Sequence, residues 1–222
     1  MTARQNSRGV RIGGLQFSGT ELKDLLVAWI ALGIAFAIFF EGGAGAIGSL
    51  LSPTGIVLVF VSLATAGVAF LFHEVGHKVV AVRYDQIAEF RADHGMLFLA
   101  VMSALLGFIF AAPGAVHHRG RITHREHGHI ALAGPAVNLV LSVVFVPILF
   151  IGFATASDIL SVLGARGVAI NLFLAAFNLI PYGPLDGRTV ITWSKPVWAI
   201  TFAVSAIATV GFLISGAGVY AF

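Results

Sequence analysis

Residues 54–84 read TGIVLVFVSLATAGVAFLFHEVGHKVVAVRY. The nineteen positions from Thr54 to Phe72 carry no charge. That is close to the roughly 20 apolar residues a helix needs to cross the hydrocarbon core of a bilayer. The same apolar run then delivers His73, Glu74, His77 and Lys78. Ionisable groups at membrane depth are costly unless they are paired, and they mark functional sites by default.

His73-Glu74-Val75-Gly76-His77 is an H-E-x-x-H pattern. On a helix, positions i and i+4 lie on one face. Both imidazoles can then reach one zinc ion at about 2.0–2.1 Å. Glu74 stands where a carboxylate can take a proton from an attacking water. The bland alternative, a membrane helix that buries two His and a Glu, would still need partners for those groups. Two His leave a catalytic zinc one protein ligand short. The chain has no cysteine, so the third ligand must be His, Asp or Glu. Few candidates lie in apolar sequence. Asp186 follows Asn178-Leu179-Ile180-Pro181-Tyr182-Gly183-Pro184-Leu185. The prolines and glycines there break a helix, and broken backbone at membrane depth is tolerated only where it is buried or lines a cavity. The alternative for Asp186 is a plain turn residue at the interface.

The rest of the chain fits the same setting. Of 222 residues, 58% are hydrophobic and 10% charged, well below the 25% or so typical of soluble domains. This predicts an all-α membrane protein, a bundle of five to six transmembrane helices. The charge-free stretches are 25–40, the run from 54, 95–116, 130–157, 167–185 and 196–222, with a Gly-rich connector over 42–53. Residues 1–23 form a polar N-terminus, expected in the cytoplasm, and 24–222 a single transmembrane domain. A secretory signal with a small-residue site at Ala44-Gly45-Ala46 is the rival reading of this start; a retained first span is the plainer one. The net charge of +3, with basic residues at segment ends, suits lipid head groups and argues against nucleic acid.

One ion shared by His73, His77 and Asp186 requires the ends of the second and fifth stretches to lie on one side. Six full crossings would put them on opposite sides, so one stretch must turn back. Residues 95–116 are chosen, because Gly107 and Pro113 allow a dip and return. With a cytoplasmic N-terminus, eleven Lys/Arg then fall inside and only Arg166 outside, as the positive-inside rule requires. The expected location is a prokaryotic cell membrane.

HEVGH in an early span, combined with N-x-x-P-x-x-x-L-D-G over residues 178–187, resembles the site-2 protease family of intramembrane zinc metalloproteases. The resemblance covers about residues 54–195, in a minimal form without an added soluble domain. It implies His73, His77 and Asp186 as ligands of one zinc ion, Glu74 as catalytic base, and Asn178 near the substrate or the developing oxyanion. A-G-P-x-x-N over residues 133–138 also matches. Asn138 is then either a substrate contact or an amide that bonds a neighbouring helix; Asn178 carries the same alternative. Arg188 stands where many members have a second glycine after L-D-G. The family further implies a membrane-protein substrate with a transmembrane helix, cut in or near that helix.

Residues 117–129 hold five of the eight histidines. They form either a solvated basic loop at the lipid surface, a second metal site or a pH sensor; the interleaved arginines argue against cation binding. Two other functions remain. One is a membrane zinc hydrolase acting on lipid or prenylated peptide, which would usually draw its third ligand from Glu or His. The other is a metal transporter or sensor built on the His-rich loop, which would need exchangeable sites along a path. Substrate identity, regulator and oligomeric state are not written in the sequence.

Overall fold

A computed structural model describes residues 9–110 and 113–221. The first eight residues of the expected polar N-terminus, residues 111–112 of the expected re-entrant stretch and Phe222 lie outside the described residues. A small antiparallel hairpin, β1 (Val10–Ile12) and β2 (Leu15–Phe17), precedes helix α1 (Gly19–Phe40). The hairpin turns through Gly13 and Gly14, both at positive φ, where glycine costs least. Ser18 caps α1 by accepting from the Glu21 amide, so the helix starts before its first apolar run. The Gly-rich connector contains a short 3₁₀ turn (Gly43–Ala46) and α2 (Ile47–Leu50).

Helices α3 (Pro53–Ser62) and α4 (Val68–Arg83) run on from each other through a π-turn at Leu63–Gly67, giving one apolar span of 31 residues. The Leu63 carbonyl accepts from the Val68 amide across this turn, and Trp29 of α1 donates its indole N–H to the same oxygen at 3.0 Å. Strand β3 (Ile87–Ala92), helix α5 (His94–Leu105) and strand β4 (Gly114–Arg119) follow. β3 and β4 pair antiparallel, with Ala92 opposite Gly114. The stretch about 95–116 therefore returns to the place it left, as a short helix and a strand. Of the His-rich residues 117–129, His117 and His118 lie on β4.

Helix α6 (His124–Ala154) opens with a full capping box of Thr123 and Glu126. It packs antiparallel on α7 (Asp158–Asn178), where Gly164 lies against the Leu149 backbone and Gly167 against the Phe145 ring. α8 (Asp186–Trp193) and α9 (Lys195–Ile214) complete the chain, followed by a 3₁₀ turn over Gly218–Ala221. Among the described residues, five helices are long and apolar enough to cross a membrane: Gly19–Phe40, Pro53–Arg83, His124–Ala154, Asp158–Asn178 and Lys195–Ile214. The fold is an all-α membrane protein, as expected.

Arg166 corrects the charge-free reading of the fifth span. Instead of lying in an outer loop, it is buried inside α7. Its guanidinium bonds Glu41 at 2.9 Å and the Ala221 carbonyl at 3.3 Å, and lies over the Phe40 ring. The pairing explains why a charge occurs within a span. The ends of α4, α6 and α8 meet on one side, where Tyr84 bonds His129 at 2.5 Å and the His129 ring packs edge-on against Trp193.

Candidate metal centre

Helix α4 places His73 and His77 one turn apart, with ring centroids 4.7 Å from each other. The partner of each Nδ1 settles which nitrogen faces inward. His77 Nδ1 lies 2.7 Å from the Ile130 carbonyl, which can only accept. His73 Nδ1 lies 2.6 Å from Asn138 Oδ1. The Asn138 amide nitrogen already donates to the Ala69 carbonyl and to Asn171 Oδ1, so its oxygen must accept. Both Nδ1 atoms therefore carry the proton, and both Nε2 lone pairs are free. Such contacts orient imidazole ligands and raise their basicity.

The free Nε2 atoms face Asp186, the first residue of α8. Asp186 Oδ2 lies 3.3 Å from His73 Nε2 and 3.4 Å from His77 Nε2. These separations match the roughly 3.3 Å between ligand atoms on a tetrahedral zinc with bonds of about 2.0–2.1 Å. Asp186 Oδ2 is buried and has no hydrogen-bond partner. A buried carboxylate oxygen left this way is costly, and a cation held between it and the two Nε2 atoms removes the cost. The donor set, two neutral imidazoles and one carboxylate, fits zinc. Among the described residues, this is the one group of three or more such side chains close enough to share an ion.

Glycines shape the centre as much as its ligands do. A Cβ on Gly134 of α6 would stand 2.4 Å from His77 Nε2 and 2.5 Å from His73 Nε2. A Cβ on Gly76 would meet Val137 at 2.9 Å and the Ala133 carbonyl at 3.2 Å. Only bare backbone at both positions lets α6 pass over the imidazole pair. Pro135 removes an N–H from the next turn of α6, beside the Ile130 carbonyl that His77 uses. The role of Gly134 is not evident from sequence alone, although A-G-P-x-x-N marks its position.

Glu74 is 7% exposed and lines two cavities that meet at the centre, one of about 130 Å³ between α1, α4 and α7, the other of about 220 Å³ opening beyond Asp186. Asn178, the last residue of α7, lines both and donates to the Leu174 carbonyl at 3.0 Å. Asn138 does not reach either cavity. It is fully buried behind His73, and its amide nitrogen donates to the Ala69 carbonyl of α4 and to Asn171 of α7. Asn171, which completes the chain His73–Asn138–Asn171–Gly167, was not singled out from sequence.

Strand β4 forms one wall, with Gly114, Ala115 and Val116 lining the larger cavity. Its partner β3 is closed on the far side by α1, where Glu21 accepts from the Phe90 amide at 3.1 Å and Asp24 from the Ala92 amide at 3.4 Å. Among the described residues, no strand pairs with the other edge of β4.

Comparison with known proteins agrees with this site. A Methanocaldococcus jannaschii protein named "putative zinc metalloprotease" is 38% identical over 188 residues, covering 83% of this chain and 90% of its own. A Mycobacterium tuberculosis protein of the same printed description is 33% identical over 144 residues, 64% of this chain and 31% of its own. A Bacillus subtilis protein, again so described, is 29% identical over 140 residues, 56% of this chain and 64% of its own. No family model and no solved structure matches the chain.

Proposed function

This chain belongs to the site-2 protease family of zinc metalloproteases, and we propose that it is an intramembrane endopeptidase that hydrolyses peptide bonds in or beside transmembrane segments of membrane proteins. The observation that carries the reading is the position of the His73, His77 and Asp186 cluster. It lies with Glu74 at the junction of two cavities walled by helices long and apolar enough to span a bilayer.

The site residues divide the work as follows. His73, His77 and Asp186 hold zinc, which supplies Lewis acidity to the reacting oxygens when bound. Glu74 takes a proton from the attacking water and passes it to the leaving amine nitrogen, as a carboxylate at this place in H-E-x-x-H does. The Asn178 amide, at the cavity wall, donates to the oxyanion that develops on the scissile carbonyl. The free edge of β4 receives the substrate backbone as an added strand. Strand addition exposes and aligns the peptide bond, which a helix hides in internal hydrogen bonds. Helix-weakening residues are therefore expected near the cut. The basic ends of the spans support a cytoplasmic position for 117–129 and the N-terminus.

The test uses purified protein in liposomes with a single-span substrate. Expected is a cut within or next to the span that needs zinc and disappears in Glu74→Gln. Cleavage confined to soluble peptides, or full cleavage by Glu74→Gln, would remove the basis of this reading.

A further inference from the structure

The larger cavity has a second pair of histidines at its mouth. His118 of β4 and His127 of α6 both line it, together with the three members of the metal cluster. Their ring centroids are 5.5 Å apart with planes at 72°, against 4.7 Å and 80° for His73 and His77. Two imidazoles on one tetrahedral zinc have centroids about 5 Å apart, given Zn–N bonds of about 2.1 Å. The outer pair therefore has the spacing of a metal-binding pair.

Two of the arginines that argued against a cation here, Arg119 and Arg125, are separated from the pair by local structure. Side chains alternate faces along a strand, so Arg119 turns away from the face of β4 that carries His118. On α6, Arg125 lies two positions from His127, and residues two apart do not share a face. His118 is also held below its ordinary pKa, by partial burial and then by the neighbouring His127, His117 and His77.

We propose that His118 and His127 form a second, weaker zinc site at the mouth of the cavity, and that an ion there closes the route to Glu74. Two protein ligands and an exposed position make this an exchangeable site, in contrast to the buried three-ligand centre. It would reduce proteolysis when free zinc is high. The blocking half rests on the protease reading; the binding half does not.

Protein carrying one zinc equivalent is titrated with zinc chloride against a chromophoric chelator, and cleavage of the single-span substrate is followed over the same range. Expected is a second, weaker equivalent, with cleavage falling as it loads. His118→Gln and His127→Gln should each raise the zinc needed for half-loading and for half-inhibition about tenfold or more, since even loss of an orienting partner costs 10–100-fold in affinity. The first equivalent should persist in both variants, and inhibition is read relative to each variant's own cleavage at low zinc. A second equivalent unchanged in both variants overturns the site. Weakened binding with unchanged inhibition overturns the block. A second equivalent that depends on both histidines in a protein with no cleavage at any zinc level would refute the protease reading and support the site.

Discussion

Gly134 presses its backbone against the metal-facing edge of the His77 ring, closer than a Cβ could come. The glycine on α6 is therefore as much a condition for the metal as the histidines on α4. Gly134→Ala should abolish stoichiometric zinc while the helices still form, because the new methyl group occupies the space in front of both Nε2 atoms. Metal content and circular dichroism of the purified variant check this. Full zinc occupancy in Gly134→Ala would mean that α6 does not pass over the site as described.

Glu74 and the ligands should separate cleanly. Glu74→Gln should keep its zinc and lose cleavage by about 10²–10⁴-fold, the usual weight of general acid–base catalysis. His73→Ala, His77→Ala and Asp186→Ala should each lower zinc occupancy, as a three-ligand site loses affinity with any one of them. An Asp186→Ala protein with full metal and full activity would show that the carboxylate is a bystander.

Asn138 acts on the metal through His73. Asn138→Leu should weaken zinc binding about 10–100-fold. The change belongs in metal affinity and not in the concentration dependence of substrate cleavage, because the amide does not reach the cavities. A substrate effect at saturating zinc, with affinity unchanged, would return Asn138 to the role of substrate contact.

Much of this centre was legible in the sequence, for physical reasons. Helical periodicity alone places His73 and His77 together, and the scarcity of acids in apolar sequence singles out Asp186. Gly134 was hidden because a glycine's spacing does not tell which backbone lies in front of it. Strands β3 and β4 were hidden for another reason. IAEFRA and GAVHHR pair across the whole re-entrant stretch, so neither segment carries its partner in its local pattern. Arg166 misled the charge-free reading because its neutralising partners, Glu41 and the Ala221 carbonyl, lie in distant parts of the chain.

Lys78 follows the second histidine directly and is buried with Glu21, its ammonium 2.6 Å from Oε1. Breaking such a pair from one side costs about 3–5 kcal/mol, whereas replacing both partners by apolar groups is often close to neutral. Lys78→Met and Glu21→Leu should each lower the thermal midpoint sharply. The double variant should recover much of the loss, though not the bond from Glu21 to the Phe90 amide. Strict additivity of the two single effects would show that the pair is not coupled.

Single cysteines can report sidedness without background, since the chain has none. Arg121→Cys and Lys195→Cys should react with an impermeant thiol reagent from the same side, and Thr155→Cys from the opposite one. With the N-terminus inside, only Thr155→Cys should label in intact cells. Labelling of Arg83→Cys and Arg121→Cys from opposite sides would be incompatible with a re-entrant stretch between β3 and β4.

The closure of β3 by Glu21 and Asp24 leaves the sheet able to grow in one direction only, toward the cluster. A bare strand edge in a hydrocarbon setting is a standing demand for hydrogen-bond partners. A well-formed helix has none to offer, because its amides and carbonyls are already engaged with each other. Only a segment that has come unwound can answer that demand. Under the proposed function, the fold thus carries its own protection for the neighbours it shares a membrane with: stable spans would pass by the open edge untouched, and susceptibility would be set by how readily a passing helix melts.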